Sequence, residues 1–274
     1  MFSMHHMGTR FIIFILSSLF ISRTHAQQSI SNARDLSLSY STVAPAQEII
    51  VGENIATMRR AGTAVTLTGH NRYVKELSSC QTSVLHSTKN NLLLYAGIGR
   101  MGTSVFAEQF YEAGIAHRLS KNIVAGLKFR YYQWIVRESG YSGSSAILPD
   151  INLSYYPNER IAFGVIIRNP VRSRMSANAS ERLPTTQLAG LSYTLSRKIN
   201  LALAGKQADK ILSLHSGIEY QTRDWVFLRA GLQSSPLCQS FGFGIKHKKL
   251  FLDAGIQIGS PAGKSSGISL TFLL

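Results

Sequence analysis

Acidic residues are scarce in this 274-residue chain: 14 Asp and Glu stand against 29 Lys and Arg, a formal charge of +15. Charged residues of both signs make up only 16%, where soluble globular domains carry about a quarter. The surface is therefore not an ordinary water-facing one. Two cysteines exclude a disulfide-dense scaffold and a four-cysteine zinc site. Seven prolines and 22 glycines exclude collagen-like and low-complexity chains. With 11 Tyr, 13 Phe and 45% apolar residues, the chain is no disordered basic tail either. After Gln27 no apolar run approaches the ~18 residues that mark a transmembrane helix. An H-E-x-x-H zinc motif is missing, and no nucleic-acid reading motif accompanies the basic residues. No metal, cofactor or nucleic acid is expected.

One short apolar run is present, Phe11 to Ile21, preceded by Arg10 and followed by Ser22-Arg-Thr-His-Ala26. It is too short to span a bilayer, which takes ~20 residues, and it ends on a small residue. Residues 1–26 read as a cleaved export signal.

Beyond about Thr63 the hydrophobic pattern has a period of two. In Leu250 to Ile258, one face carries Leu250, Leu252, Ala254, Ile256 and Ile258, the other Phe251, Asp253, Gly255 and Gln257. Leu212, Leu214, Ile218 and Tyr220 oppose Ser213, His215, Gly217 and Glu219. Short charged turns such as Ser196-Arg-Lys198 and His247-Lys-Lys249 punctuate the strands. Longer connections lie between them, among them Asn169 to Pro184 and Lys206 to Lys210. The spacing predicts about 14 antiparallel strands whose two ends differ, short turns alternating strictly with longer loops.

Sandwiches and propellers also use alternating strands, with apolar faces turned inward, but give no reason for two kinds of turn. A transmembrane barrel does: short periplasmic turns, longer outer loops, apolar residues toward lipid and polar ones toward the lumen. The fold expected is an all-β antiparallel up-and-down barrel over residues 62–274 in the bacterial outer membrane. Residues 27–61 then form a short plug in the lumen or a periplasmic tail. The last strand, Gly267 to Leu274, alternates to its final residue.

The run of motifs Asn71-Arg-Tyr73, Glu108-Gln109, Gly114, Arg168-Asn-Pro170, Glu181-Arg-Leu-Pro184, Leu191-Ser-Tyr193, Gly217-Ile-Glu-Tyr220, Leu228-Arg-Ala-Gly231, Ser240-Phe-Gly-Phe-Gly244 and Asp253 resembles the FadL-like outer-membrane barrels, in particular the PorV/PorQ-type branch of Bacteroidetes. Relatives carry an Asn-Pro-Ala-Gly-Leu step in an N-terminal segment that tucks into the barrel. Here the matching stretch reads Asn54-Ile-Ala-Thr-Met58, keeping Asn54 and Ala56 but not the Pro and Gly. The PorV/PorQ resemblance implies a non-enzymatic scaffold tied to protein secretion or surface assembly, with secretion-system or exported proteins as partners. The FadL resemblance implies instead a passive transporter of hydrophobic or amphipathic small molecules.

On the inward register the strands supply Glu112, Arg118, Lys128, Arg130, Asp150, Arg168, Glu219, Arg229, Lys246 and Asp253. Charges of both signs facing one lumen pair there, because an isolated charge in a confined space is costly. The inward glycines, among them Gly114, Gly164, Gly217, Gly231, Gly242 and Gly255, bend strands or leave room for a plug. Basic residues on the longer connections, Arg172, Arg174 and Arg182 above all, would face lipopolysaccharide, whose phosphates attract guanidinium groups.

Other signals are decoys. Gly97-Ile-Gly-Arg-Met-Gly102 matches a dinucleotide fingerprint but lies in alternating sequence with no helix behind it. His215 beside Ser213 is the single pair that resembles a hydrolase dyad; a hydrogen-bonded wall histidine is the simpler reading, and no enzyme is expected. Cys80 and Cys238 fall four strand spacings apart, roughly 19 Å at ~4.8 Å each. A disulfide needs Cα atoms within about 7 Å, so both are expected as free thiols.

Overall fold

Strand after strand places apolar side chains on one face and small or polar ones on the other, which suits a sheet with two different environments. The computed structural model describes residues 31–44, 52–57, 62–72, 78–137, 143–175, 182–260 and 263–274. The expected export signal, residues 1–26, lies outside the described residues, as do parts of 27–61.

The chain forms β1 (Gly62–Arg72), β2 (Ser79–Ser87), β3 (Leu92–Gly102), β4 (Phe106–Arg118), β5 (Ile123–Val136), β6 (Ser144–Tyr155), β7 (Ile161–Arg168), β8 (Thr186–Ser196), β9 (Ile199–Ala208), β10 (Ile211–Arg223), β11 (Val226–Gln233), β12 (Cys238–His247), β13 (Leu250–Ser260) and β14 (Gly263–Leu273). Each pairs with its sequence neighbours, and β14 returns to β1 to close the barrel. The closing seam runs antiparallel from Ala64 opposite Leu273 to Arg72 opposite Ser265. On its inner side Thr66 Oγ1 and Thr271 Oγ1 meet at 2.9 Å.

The outward face is apolar all around. Leu67, Ile98, Ile115, Phe129, Ile151, Phe163, Leu203, Leu214, Leu228, Phe241, Leu252 and Ile268 are all exposed, although each is large and hydrophobic. A soluble monomer exposes contiguous apolar patches of only ~300–600 Å²; a continuous belt of such residues belongs in hydrocarbon. Aromatic rings sit on the same face, with Tyr155 stacked on Phe163 at 6.2 Å and Tyr111 tilted against Tyr131 at 6.3 Å. Among the described residues no helix is long and apolar enough to cross a membrane. The strands do the crossing.

The two ends of the barrel differ, though not through strict alternation of short and long connections. Lys206 belongs to β9, which returns to β10 through Asp209-Lys210 alone. Asp209 takes the left-handed backbone, φ 52°, that tight two-residue hairpins require. The longest connection, 169–185, stands at the end opposite Leu274, here called the loop end. Gly97 to Gly102 lie wholly within β3, so no nucleotide-binding turn forms. Cys80 is exposed and Cys238 buried, both as free thiols.

A closed barrel of this kind stays folded in mild SDS, so unheated protein should run faster on a gel than boiled protein. Identical mobility before and after boiling would contradict closure of the ring.

Candidate functional site

The lumen is occupied by the chain's own N-terminal segment. A short helix, α1 (Ala33–Ser37), begins at Asn32, whose Oδ1 accepts from the Asp35 backbone N–H at 2.8 Å. It packs against β11 to β14. Around it, Ala33, Leu36, Leu38, Val43, Ala44, Asn54, Ile55 and Ala56 are all buried.

Inward glycines make the seat. A Cβ on Gly164 would overlap the Val43 carbonyl oxygen, and one on Gly242 would overlap Ser37 Oγ. At Gly217 it would come within 2.6 Å of Ser41 Oγ, and at Gly231 within 2.6 Å of the Leu38 carbonyl carbon. Real Cβ contacts are never so close, so these positions are glycine because the plug backbone runs against the wall.

Polar contacts then fix the plug. The Ala33 N–H donates to Ser269 Oγ at 2.6 Å, and Ser39 Oγ meets Ser240 Oγ at 2.9 Å. Arg34 donates twice to Glu219, at 2.8 and 2.9 Å. Arg168 pairs with Glu53 at 2.6 Å. Asn54 Nδ2 donates to the Val43 carbonyl at 2.9 Å and to Ser154 Oγ at 3.1 Å, while its Oδ1 accepts from the Ala56 N–H at 2.9 Å. The Asn54 side chain thus folds the turn that a Pro and a Gly would otherwise impose, and Ala56 is fully buried beneath it.

The wall charges form two groups. In the first, register places Glu112 opposite Arg130, and Lys128 opposite Asp150. Arg130 Nε donates to Glu112 Oε1 at 2.7 Å, Tyr95 donates to Glu112 Oε2 at 2.7 Å, and Lys128 lies 3.4 Å from Glu112 and 3.7 Å from Asp150. In the second, Arg229 donates to Glu219 and, at 2.7 Å, to Asp253; Arg34 of the plug joins through Glu219. Lys246 is half-buried over the Phe251 ring at 5.0 Å, and Arg118 is half-buried at the end of β4. Arg172, Arg174 and Arg182 are exposed on the 169–185 connection.

His215 bridges wall and plug. Its Nδ1 lies 2.6 Å from the Ser39 carbonyl and must donate, which leaves Nε2 to accept from Ser213 Oγ at 2.8 Å. Ser213 and His215 therefore meet as a pair, with the imidazole held by the plug backbone.

Buried Asp35 takes part in none of these ion pairs. Thr42 Oγ1 donates to its Oδ1 at 2.6 Å, but Oδ2 has no hydrogen-bond partner. Burial first, with Glu53 adding repulsion and Thr42 and Arg34 opposing, pushes its carboxyl up to about 7.

Sequence pattern alone missed two features. Phe110, Tyr132, Ala146, Leu148 and Met175 form a buried apolar cluster, with Met101, Trp134 and Leu183 against it. All the strand members lie on the inward face near the loop end of β3 to β6. The signal was a run of large apolar residues on the inward face of neighbouring strands, where small and polar residues are commoner. Plug residues Arg34 and Glu53 were missed too, because they precede the alternating region.

Taken together, the fold and its contents define a plugged, outer-membrane-type β-barrel. Solved structures with the same fold include the CymD monoaromatic hydrocarbon channel, at 10% identity and a TM-score of 0.64 over 89% of this chain and 96% of that one. The Pseudomonas putida toluene transporter TodX matches at 10% identity and a TM-score of 0.61, over 90% and 97% of the two chains. A Pseudomonas aeruginosa FadL homologue matches at 9% and 0.58, over 90% and 98%. Comparison with protein-family models and with curated protein sequences finds no match.

Two outcomes follow. Because the seated plug raises the Asp35 pKa from 3.8 to about 7, seating takes up a proton; its stability is complete below about pH 4 and falls as pH rises toward 7. Plug-opening events in planar bilayers should be several-fold more frequent at pH 8 than at pH 5, and Asp35→Asn should flatten that dependence. Gly164→Val should displace the plug and raise conductance, whereas Gly69→Val, with no atom near its added carbon, should leave it unchanged.

Proposed function

We propose that this protein is a passive channel of the bacterial outer membrane for hydrophobic or amphipathic small molecules, FadL-like in kind, with its N-terminal segment as the hatch. The observation that carries this reading is the apolar cluster of Phe110, Tyr132, Leu148 and Met175 on the inner wall at the loop end. The two other inward apolar clusters are filled by plug residues, Ile55 and Ala56 among Leu85, Leu93 and Val124, and Val43 among Ile166 and Leu188, whereas this one includes no described plug residue. A solute-conducting lumen has no structural need for an aromatic and aliphatic patch there; a site that draws an apolar solute from water does. The similarity in fold to a monoaromatic hydrocarbon channel and a toluene transporter supports the same reading.

A scaffold of PorV/PorQ type, serving secretion, gains no support from the features described. The connections are short apart from 169–185, and short loops offer little docking surface. Ser213 and His215 hold the plug, and the reading includes no enzymatic step.

Proteoliposomes carrying the protein should take up labelled toluene or a labelled fatty acid faster than protein-free vesicles. Leu148→Glu should cut that uptake at least about tenfold while the heat-dependent gel shift persists. Absence of uptake together with co-purification of secretion components would favour the scaffold instead.

A further inference from the structure

The described parts of the connection between β7 and β8 are tied together by hydrogen bonds and carry three exposed arginines. Asn169 is the hub of this bracket. The Asn169 N–H donates to the Pro149 carbonyl at 2.8 Å, and its Nδ2 donates to the Leu183 carbonyl at 2.9 Å. Its Oδ1 accepts from the Ser173 N–H at 2.9 Å, and its carbonyl accepts from Thr185 Oγ1 at 2.9 Å. Ser173 Oγ in turn donates to the Ile147 carbonyl at 2.6 Å. The returning chain closes the bracket, with the Leu183 N–H donating to the Ser173 carbonyl at 2.9 Å and Arg174 bridged antiparallel to Arg182.

That bridge sets two guanidinium side chains directly across from one another, a like-charge arrangement that is unfavourable on its own. Arg172 stands two residues away, exposed like the other two. Among the described residues none of the three makes an ion pair, although every lumenal Arg of the two wall groups does. Three exposed cations without a carboxylate partner among the described residues call for an external anion.

Position selects the kind of anion. Ile147, whose carbonyl anchors Ser173, is 61% exposed on the outward face, and Val171 is 62% exposed. The bracket therefore sits where the apolar belt ends and the loop end begins, at headgroup depth. A ligand that fits is apolar below and bears phosphate above, matched to the guanidinium fork.

We propose that Arg172, Arg174 and Arg182 form a binding site for the phosphates of lipopolysaccharide in the outer leaflet. The inference is independent of what the lumen conducts. The test uses the full-length protein in phosphatidylcholine nanodiscs or neutral detergent, titrated with lipid A bearing both phosphates, with the same lipid A stripped of phosphate, and with inorganic phosphate. Intact lipid A should bind at least about tenfold more tightly than the stripped form, and added salt should weaken it. Inorganic phosphate should not match it. The triple variant R172Q/R174Q/R182Q should lose at least about tenfold in affinity, while R197Q/K198Q, at the opposite end of the barrel, should keep wild-type affinity. Undiminished binding by the triple variant, equal binding of stripped lipid A, equal binding of inorganic phosphate, or an equal loss in R197Q/K198Q would each overturn the proposal.

Discussion

Hydrocarbon offers no partner to a backbone N–H or C=O, and that single deficiency organises the molecule. A sheet can cross a bilayer only if its last strand bonds to its first, so β14 must find β1. Once the ring closes, every strand has one face in lipid and one in an enclosed space. Across the hydrocarbon the outward face then favours apolar side chains. The inward face holds what lipid rejects, and it must satisfy those groups from a limited stock of partners. Register answers part of the demand, by setting Glu112 across from Arg130, Lys128 across from Asp150, and Glu219 across from Arg229. The plug answers much of the rest.

The plug is held in a manner compatible with leaving. Its apolar anchors are modest: Val43 sits among Ile166, Leu188 and Ala204, and Ile55 and Ala56 lie among Ala64, Leu85, Leu93 and Val124. One of its charged anchors, Arg34, joins a wall group that already has another partner. If Arg34 departs, Glu219 keeps Arg229, whereas Arg168 pairs with Glu53 of the plug. Breaking a buried pair by removing one member costs about 3–5 kcal/mol when the survivor is stranded. At the Arg34 anchor the survivor, Glu219, is not stranded, so breaking that pair costs less than this range. Asp35 points the same way, since the seated plug carries one acid that burial penalises and water would not.

Most of this was legible as periodicity. The alternation of Leu212, Leu214 and Ile218 with Ser213, His215 and Gly217 already states which side meets lipid, because lipid and lumen impose opposite chemistries at every second residue. Other features were not legible, for physical reasons. The plug carries no period, being held by glycine gaps in distant strands rather than by a pattern of its own. Gly164 and Gly242 read locally as weak points of a strand; only the fold shows Val43 and Ser37 in the space they leave. The turn at Asn54 looked incomplete without Pro and Gly, yet an asparagine side chain supplies the bonds that close it. Two-residue hairpins such as Asp209-Lys210 escaped notice because a left-handed aspartate makes a turn without glycine.

The loop end shows how one connection serves both environments. The connection tied down by Asn169 places Met175 inward against Phe110, Tyr132 and Leu148, and leaves Arg172, Arg174 and Arg182 exposed. A bracket tied to β6 through Ile147 and Pro149 and to β8 through Thr185 couples the two sides mechanically. Whatever restrains the arginines also restrains the methionine that covers the apolar cluster. Beneath that cluster lie Arg130 and Glu112, with Arg130 over the Phe110 ring at 5.5 Å, and the plug lies deeper still. An apolar solute descending this path would leave a greasy mouth for a belt of charges that are already paired with each other. Paired charges present little unsatisfied polarity, so the belt is a far lower barrier than the same residues would be alone. The pairing that the closed ring demands for stability would thus, under the proposed channel role, also lower the barrier to a hydrophobic guest.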